Sequence, residues 1–438
     1  MLESEDIQHF LLTRVPAITG RYEFLSFRQP AQGRAWLVGI LEKVASAQQA
    51  RESVEREQRW VAVAFTWQGL RALGVDEQSL ATFPKEFREG MAARAEVLGD
   101  TGRNSPDRWV GGLASPALHA IAILFARNVA ERERVTHEHQ AFLARTPGVE
   151  VISSLDLDGI PPFDAREHFG YRDRLSEPQI EGSGIQPTPG SGAPVKAGEF
   201  ILGQMDESGE VVPLPKPEVL SRNGTFMAYR RLQEHVGTFR DFLRQHGGPT
   251  AEGQELIAAK LMGRWRSGAP LVLAPEKDDP ALGADHQRNN NFNYAQMDPQ
   301  GYAVPLGSHI RRMNPRDTTV GNIQRRRMIR RGATYGPPLP EGAPEDGVDR
   351  GIAAFILCAS LVRQFEFAQN VWINDPNFHE LGNERDPLIG NQDGTFDFTI
   401  PKRPIRKKIT GLPAFTTLKG GAYFFLPGIK ALRYLAAL

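Results

Sequence analysis

Tyr22 to Phe27 alternates apolar and polar positions, the period-two pattern of a strand, whereas residues 32–50 place apolar side chains three and four apart, as a helix face does. The run Trp60-Val61-Ala62-Val63-Ala64-Phe65-Thr66 predicts a buried strand. It leads into Gln68-Gly69-Leu70-Arg71-Ala72-Leu73, a helix that Gly74 closes. Another helix is predicted over 83–95. Leu118 to Phe125 and Val149 to Leu155 read as strands, with a charged helix over 128–145 between them. This βαββαβ-like order predicts an α+β layer, an antiparallel sheet with helices on one face.

Residues 183–197 are rich in Gly, Pro and Ser and read as a connection with little regular structure. A comparable second set follows: a strand over 224–232, helices over 233–246 and 251–263, a strand over 351–362 and a helix over 363–373. Ala422 to Leu426 predicts a closing strand and 428–437 a last helix. The halves look like two versions of one layer, without a strict repeat, and divide as 1–197 and 198–438. Stretches 268–308 and 332–350 read as long loops, which in a compact protein are usually functional.

Length supports this division, since 438 residues exceed one ordinary core. The single cysteine excludes an internal disulfide framework and fits a reducing compartment. Cys358, inside an apolar run, reads as a small buried hydrophobe. The N-terminus, Met1 to Asp6, is acidic where a secretion signal is basic. No stretch approaches the ~20 apolar residues of a membrane helix, so a cytoplasmic protein is expected.

Charge changes the picture at one place. Residues 309–331 hold eight arginines and one histidine against one acid, Asp317, in a chain whose formal net charge is +0. A basic run is commonly a solvated or nucleic-acid-facing surface. Here the neutral chain and the lack of any aromatic between His309 and Arg331 argue against a nucleic-acid partner. Arginine forks bind carboxylates, and an imidazole binds a metal. A histidine among arginines therefore suits an anionic, metal-containing ligand such as haem.

Several motifs resemble the dye-decolorizing peroxidases: Phe169-Gly170-Tyr171-Arg172-Asp173, the stretch Ser308-His309-Ile310-Arg311-Arg312-Met313-Asn314-Pro315-Arg316-Asp317, and Arg330-Arg331-Gly332-Ala333-Thr334-Tyr335-Gly336. Arg363 to Phe367, Asp386-Pro387-Leu388-Ile389-Gly390 and Gly420 to Pro427 extend the likeness in order along nearly the whole chain. The resemblance implies two ferredoxin-like domains holding haem b mainly through the C-terminal one. It implies a haem peroxidase that uses hydrogen peroxide to oxidise an organic electron donor, such as a dye or phenol, through a ferryl intermediate. It leaves a homo-oligomer open.

Carried over by position, His309 is expected as the proximal ligand of the haem iron. Asp173 and Arg330 are expected on the distal side, as proton carrier and fixed positive charge. Arg330 could instead hold a propionate, a role that Arg311, Arg312 and Arg316 share as candidates beside plain salt bridging. Asp393, in Asn391-Gln392-Asp393-Gly394, is the candidate acceptor for the second ring nitrogen of His309. His168 could line the distal side or be structural. Trp372, Tyr335, Tyr229 and Trp265 are available as relays to bulky donors. One departure stands out: Arg174 follows Asp173 where the family pattern has glycine. It motivates an alternative, a haem-binding protein for storage, sensing or iron handling without efficient turnover.

Overall fold

Eight strands run antiparallel in one sheet, in a computed structural model that describes residues 2–160, 165–186, 189–190, 192–316 and 322–438. The first half contributes β1 (Thr19–Phe27), β2 (Arg59–Phe65), β3 (Ala120–Ala126) and β4 (Val149–Asp158), in spatial order β4-β1-β3-β2. The second contributes β5 (Thr225–Glu234), β6 (Ile329–Tyr335), β7 (Gly351–Cys358) and, after a small hairpin of β8 (Phe398–Ile400) and β9 (Lys407–Ile409), β10 (Thr416–Leu426). Its order is β10-β5-β7-β6. Numbered within each half, both quartets read 4-1-3-2, so the two ferredoxin-like layers expected from the sequence are present.

The quartets join where Phe65 of β2 pairs with Phe425 of β10. At the far edges, the Thr334 hydroxyl of β6 donates to the Asp158 carbonyl of β4 at 2.7 Å. The sheet thus curls toward a barrel, which removes exposed strand edges. Alternation along the strands sorts the core into two sides. Tyr22, Phe24, Tyr229, Phe355 and Phe424 pack in one cluster, with Phe10 of the N-terminal segment stacked on Phe125 and edge-on to Phe355. On the other side, helices Pro30–Leu41, Val129–Leu143 and Ile429–Ala437 bury Trp36, Val135 and Leu432 against the sheet.

Some predicted elements shift. The helix expected over 32–50 is two, because Ser46 and Gln49 form a capping box that starts a new helix at Ala47. The strand expected over 351–362 ends at Cys358, and Leu361–Asn374 continues as wide π-type turns. β6 falls where the sequence shows a basic run passing into a loop. Its arginines conceal a strand pattern whose two faces both meet charged surroundings. Among the described residues, no helix is long and apolar enough to cross a membrane. Asp317 lies outside the described residues.

Candidate active site

His309 opens the short helix His309–Met313. Arg311 and Arg312, its neighbours, do not reach toward a ligand. Arg311 lies 4.4 Å over the Tyr294 ring and donates to Asp298 and the Val304 carbonyl. Arg312 donates to the carbonyls of Trp372 and Glu384. Both are buried, and both bind the helix to the surrounding loops. Their expected role at propionates gives way to anchoring His309, because backbone carbonyls and Asp298 occupy their donors.

The acceptor for His309 is also corrected. Nδ1 of His309 lies 2.8 Å from Oδ2 of Asp386, whose side chain is 0% exposed. Asp393 is exposed and caps its own turn at Thr395. An Asp-Gly turn folds back on itself, and so cannot reach. Oδ1 of Asp386 accepts the amides of Leu388 and Ile389, both at 3.0 Å. Burial pulls the Asp386 carboxyl upward, but the His309 charge, its hydrogen bond, the amide and Arg312 outweigh this and hold it below the usual range. A carboxylate fixed as acceptor keeps a proton on Nδ1, so when the imidazole is neutral it is Nε2 that has given up its proton and offers a lone pair. The signal was present in Asp386-Pro387-Leu388-Ile389-Gly390, which carried the family likeness without naming the partner.

A second set of residues converges from a loop. Glu167 folds under it, accepting the amides of Phe169 at 2.8 Å and Tyr171 at 2.7 Å. Gly170 takes φ +94°, which its lack of a side chain permits. Tyr171 donates to the Ala258 carbonyl, and Phe169 packs on Phe239, so helices of the second half hold a loop from the first. The loop presents Asp173, 53% exposed, at 3.7 Å from Arg330, 48% exposed. Register separates the two arginines of β6. Arg330 pairs with Ile356 and Arg331 with Phe355, so they face opposite sides of the sheet. Arg331 is engaged by Glu177 and the carbonyls of Phe10 and Leu11.

His309, Asp173 and Arg330 line one cavity of about 450 Å³. That is within the usual size of a small-molecule or cofactor site. His168 does not line it; its Nε2 meets the Tyr335 carbonyl at 2.9 Å, and burial pushes its pKa down to about 4, leaving a neutral structural histidine.

Residues 6–156 match the DyP dimeric alpha+beta barrel domain. A dye-decolorizing peroxidase of Mycena epipterygia is 31% identical over 427 residues, covering 86% of this chain and 76% of its own length. One of Exidia glandulosa is 30% identical over 98% of this chain and 86% of its own. The chain belongs to the dye-decolorizing peroxidases. A solved dye-decolorizing peroxidase in complex with 2,6-dimethoxyphenol superposes with a TM-score of 0.88 at 27% identity, covering 100% of both chains. This chain is therefore a haem peroxidase, an oxidoreductase.

The residues of this dye-decolorizing peroxidase fit a haem. Nε2 of His309 makes no hydrogen bond among the described residues, and the imidazole lines the cavity. Arg327, which sequence reasoning passed over, lines it too and donates no side-chain hydrogen bond among the described residues. Burial pushes Arg327 down to about 10, helped by Arg316 and Arg330. A partly buried cation without an acidic partner is where a carboxylate is wanted. Charge spacing alone could not separate it from its seven arginine neighbours. Arg316, by contrast, stacks 3.7 Å over Phe292 and donates to the Asn290 and Phe292 carbonyls. Trp372, Tyr335, Tyr229 and Trp265 are all buried, so none presents its ring at the surface. Cys358 is buried as expected, and burial pushes its thiol up to about 12.

Proposed function

We propose that His309 holds the haem iron through Nε2 while Asp386 fixes the imidazole through Nδ1, and that Arg327 meets a propionate. Haem supplies the redox-active iron that accepts oxidising equivalents from hydrogen peroxide. Asp173 then serves as the proton carrier, taking a proton from one peroxide oxygen and returning it to the other as water departs. Arg330 supports the charge that develops there, and never needs to give up its own proton. The observation that carries this reading is the meeting of Asp173, Arg330 and a carboxylate-bound His309 on one cavity.

The donor is a phenol or dye, as the names of the relatives suggest, and the compartment is the cytoplasm, whose reducing conditions suit a chain with a single cysteine. A homo-oligomer is compatible with the reading. The test is steady-state oxidation of 2,6-dimethoxyphenol by the haem-loaded protein. Asp173→Asn and Arg330→Leu are each expected to lower kcat/KM by about 10²–10⁴-fold, with the ferric haem spectrum retained. Arg174 favours the alternative of haem binding without turnover, since it brings a cation beside Asp173. Wild-type turnover no better than that of Asp173→Asn would establish that alternative.

A further inference from the structure

Arg174 occupies a place that asks for another residue. Its φ is +64°, in the left-handed region that glycine tolerates and a side chain resists. Strain of this kind persists where a function holds it. The side chain lines the same cavity as Asp173. Among the described residues its guanidinium donates no hydrogen bond and forms no ion pair.

Its surroundings leave it unmatched. Glu177 is shared by Arg14, whose Nε lies 2.9 Å away, and Arg331, whose Nη1 lies 3.0 Å away. Asp173 faces Arg330. Four guanidinium groups (Arg14, Arg174, Arg330 and Arg331) thus stand against two carboxylates (Asp173 and Glu177). His9, on the same cavity, adds no charge near neutral pH, because burial pushes its pKa down to about 4. Burial also lowers the Arg174 guanidinium, and Arg14 adds to this, against the pull of Asp173 and Glu177. Ile18, Phe125 and Ile160 give the cavity apolar wall beside these charges.

We propose that Arg174 makes this lobe of the cavity a subsite for aromatic carboxylates and sulfonates, and that it is the residue that selects anionic donors. The anionic head pairs with the Arg174 guanidinium, and the ring lies against Phe125, Ile18 and Ile160. A fork of donors exposed on the cavity wall suits a planar carboxylate or a sulfonate. The assignment as a donor subsite rests on the peroxidase reading, whereas anion binding itself does not.

The test uses the haem-loaded protein at fixed ionic strength, titrated calorimetrically with benzenesulfonate and with neutral benzyl alcohol. Arg174→Gly and Arg174→Gln are compared with wild type; glycine relieves the backbone, and glutamine keeps the strain but removes the charge. Benzenesulfonate affinity is expected to fall at least tenfold in both variants, with benzyl alcohol affinity unchanged. In parallel, the KM for syringate relative to that for 2,6-dimethoxyphenol, the same ring without the carboxylate, is expected to rise at least tenfold. Normal phenol turnover with benzenesulfonate affinity indifferent to Arg174 overturns the subsite. Arg174-dependent benzenesulfonate binding without turnover of any donor leaves the anion site standing and overturns the peroxidase reading instead.

Discussion

Replacing Asp386 by Asn changes one atom in the pair that orients His309, and the neighbouring amides dictate how the new side chain sits. Oδ1 is fixed by the amides of Leu388 and Ile389, both at 3.0 Å. An asparagine oxygen would be held there, turning its NH₂ toward Nδ1 of His309. Two donors cannot share a proton, so the imidazole must move its hydrogen to Nε2, the nitrogen needed for iron. If the amide flips instead, two backbone N–H groups lose their acceptor in a buried place, at about 1–3 kcal/mol each. Either route weakens the site. The expected loss is roughly 10–100-fold in haem affinity, about 1.4–2.8 kcal/mol. The ferric–ferrous reduction potential should rise, because a buried negative charge has gone. The assay is haem titration of the apoprotein followed by spectroelectrochemistry, with Asp393→Asn as control. Asp393 is exposed and serves only its own turn, so the control should be silent. Unchanged affinity and potential in Asp386→Asn, or a loss in Asp393→Asn instead, would show that Asp386 does not orient the imidazole.

Arg327→Leu should lower haem affinity while the apoprotein melts no lower than wild type, because an unpaired cation leaves a partly buried site; equal drops in apo and holo melting temperature would assign Arg327 a structural role. Glu167 and Glu234 form a buried carboxyl pair with a hydrogen bond between them, and burial raises both above the usual carboxylate range. The folded state therefore keeps a proton that the unfolded chain has released, so stability falls as pH rises from the unfolded carboxylate pKa through the raised folded value. For one shared proton the slope is at most about 1.4 kcal/mol per pH unit. Glu234→Gln should flatten it in denaturant titrations between acid and neutral pH, and a slope unchanged from wild type would contradict the pairing.

Local pattern carried most of the architecture. The period-two run at β1 and the continuous apolar runs at β2 and β3, with helical spacing between them, predicted an α+β layer that a second set of elements repeats, since a strand buried on one face alternates and one buried on both does not. Gly74 closes its helix at φ +100°, as the sequence announced. The concentration of arginine around His309 pointed to an anionic ligand with a metal. The departure at Arg174 was visible as a single letter.

What the chain alone could not determine was which of many like charges meets which partner. Arg311, Arg312 and Arg327 are chemically identical in sequence. Only packing directs the first two onto Asp298 and backbone carbonyls, and leaves the third on the cavity. The acceptor for His309 lies 77 residues along the chain, and spacing ranks Asp386 no higher than Asp393. Strand register set Arg330 and Arg331 on opposite faces of β6. Composition and periodicity are local and so survive in the sequence, whereas pairing between distant charges is created by the fold that brings them together.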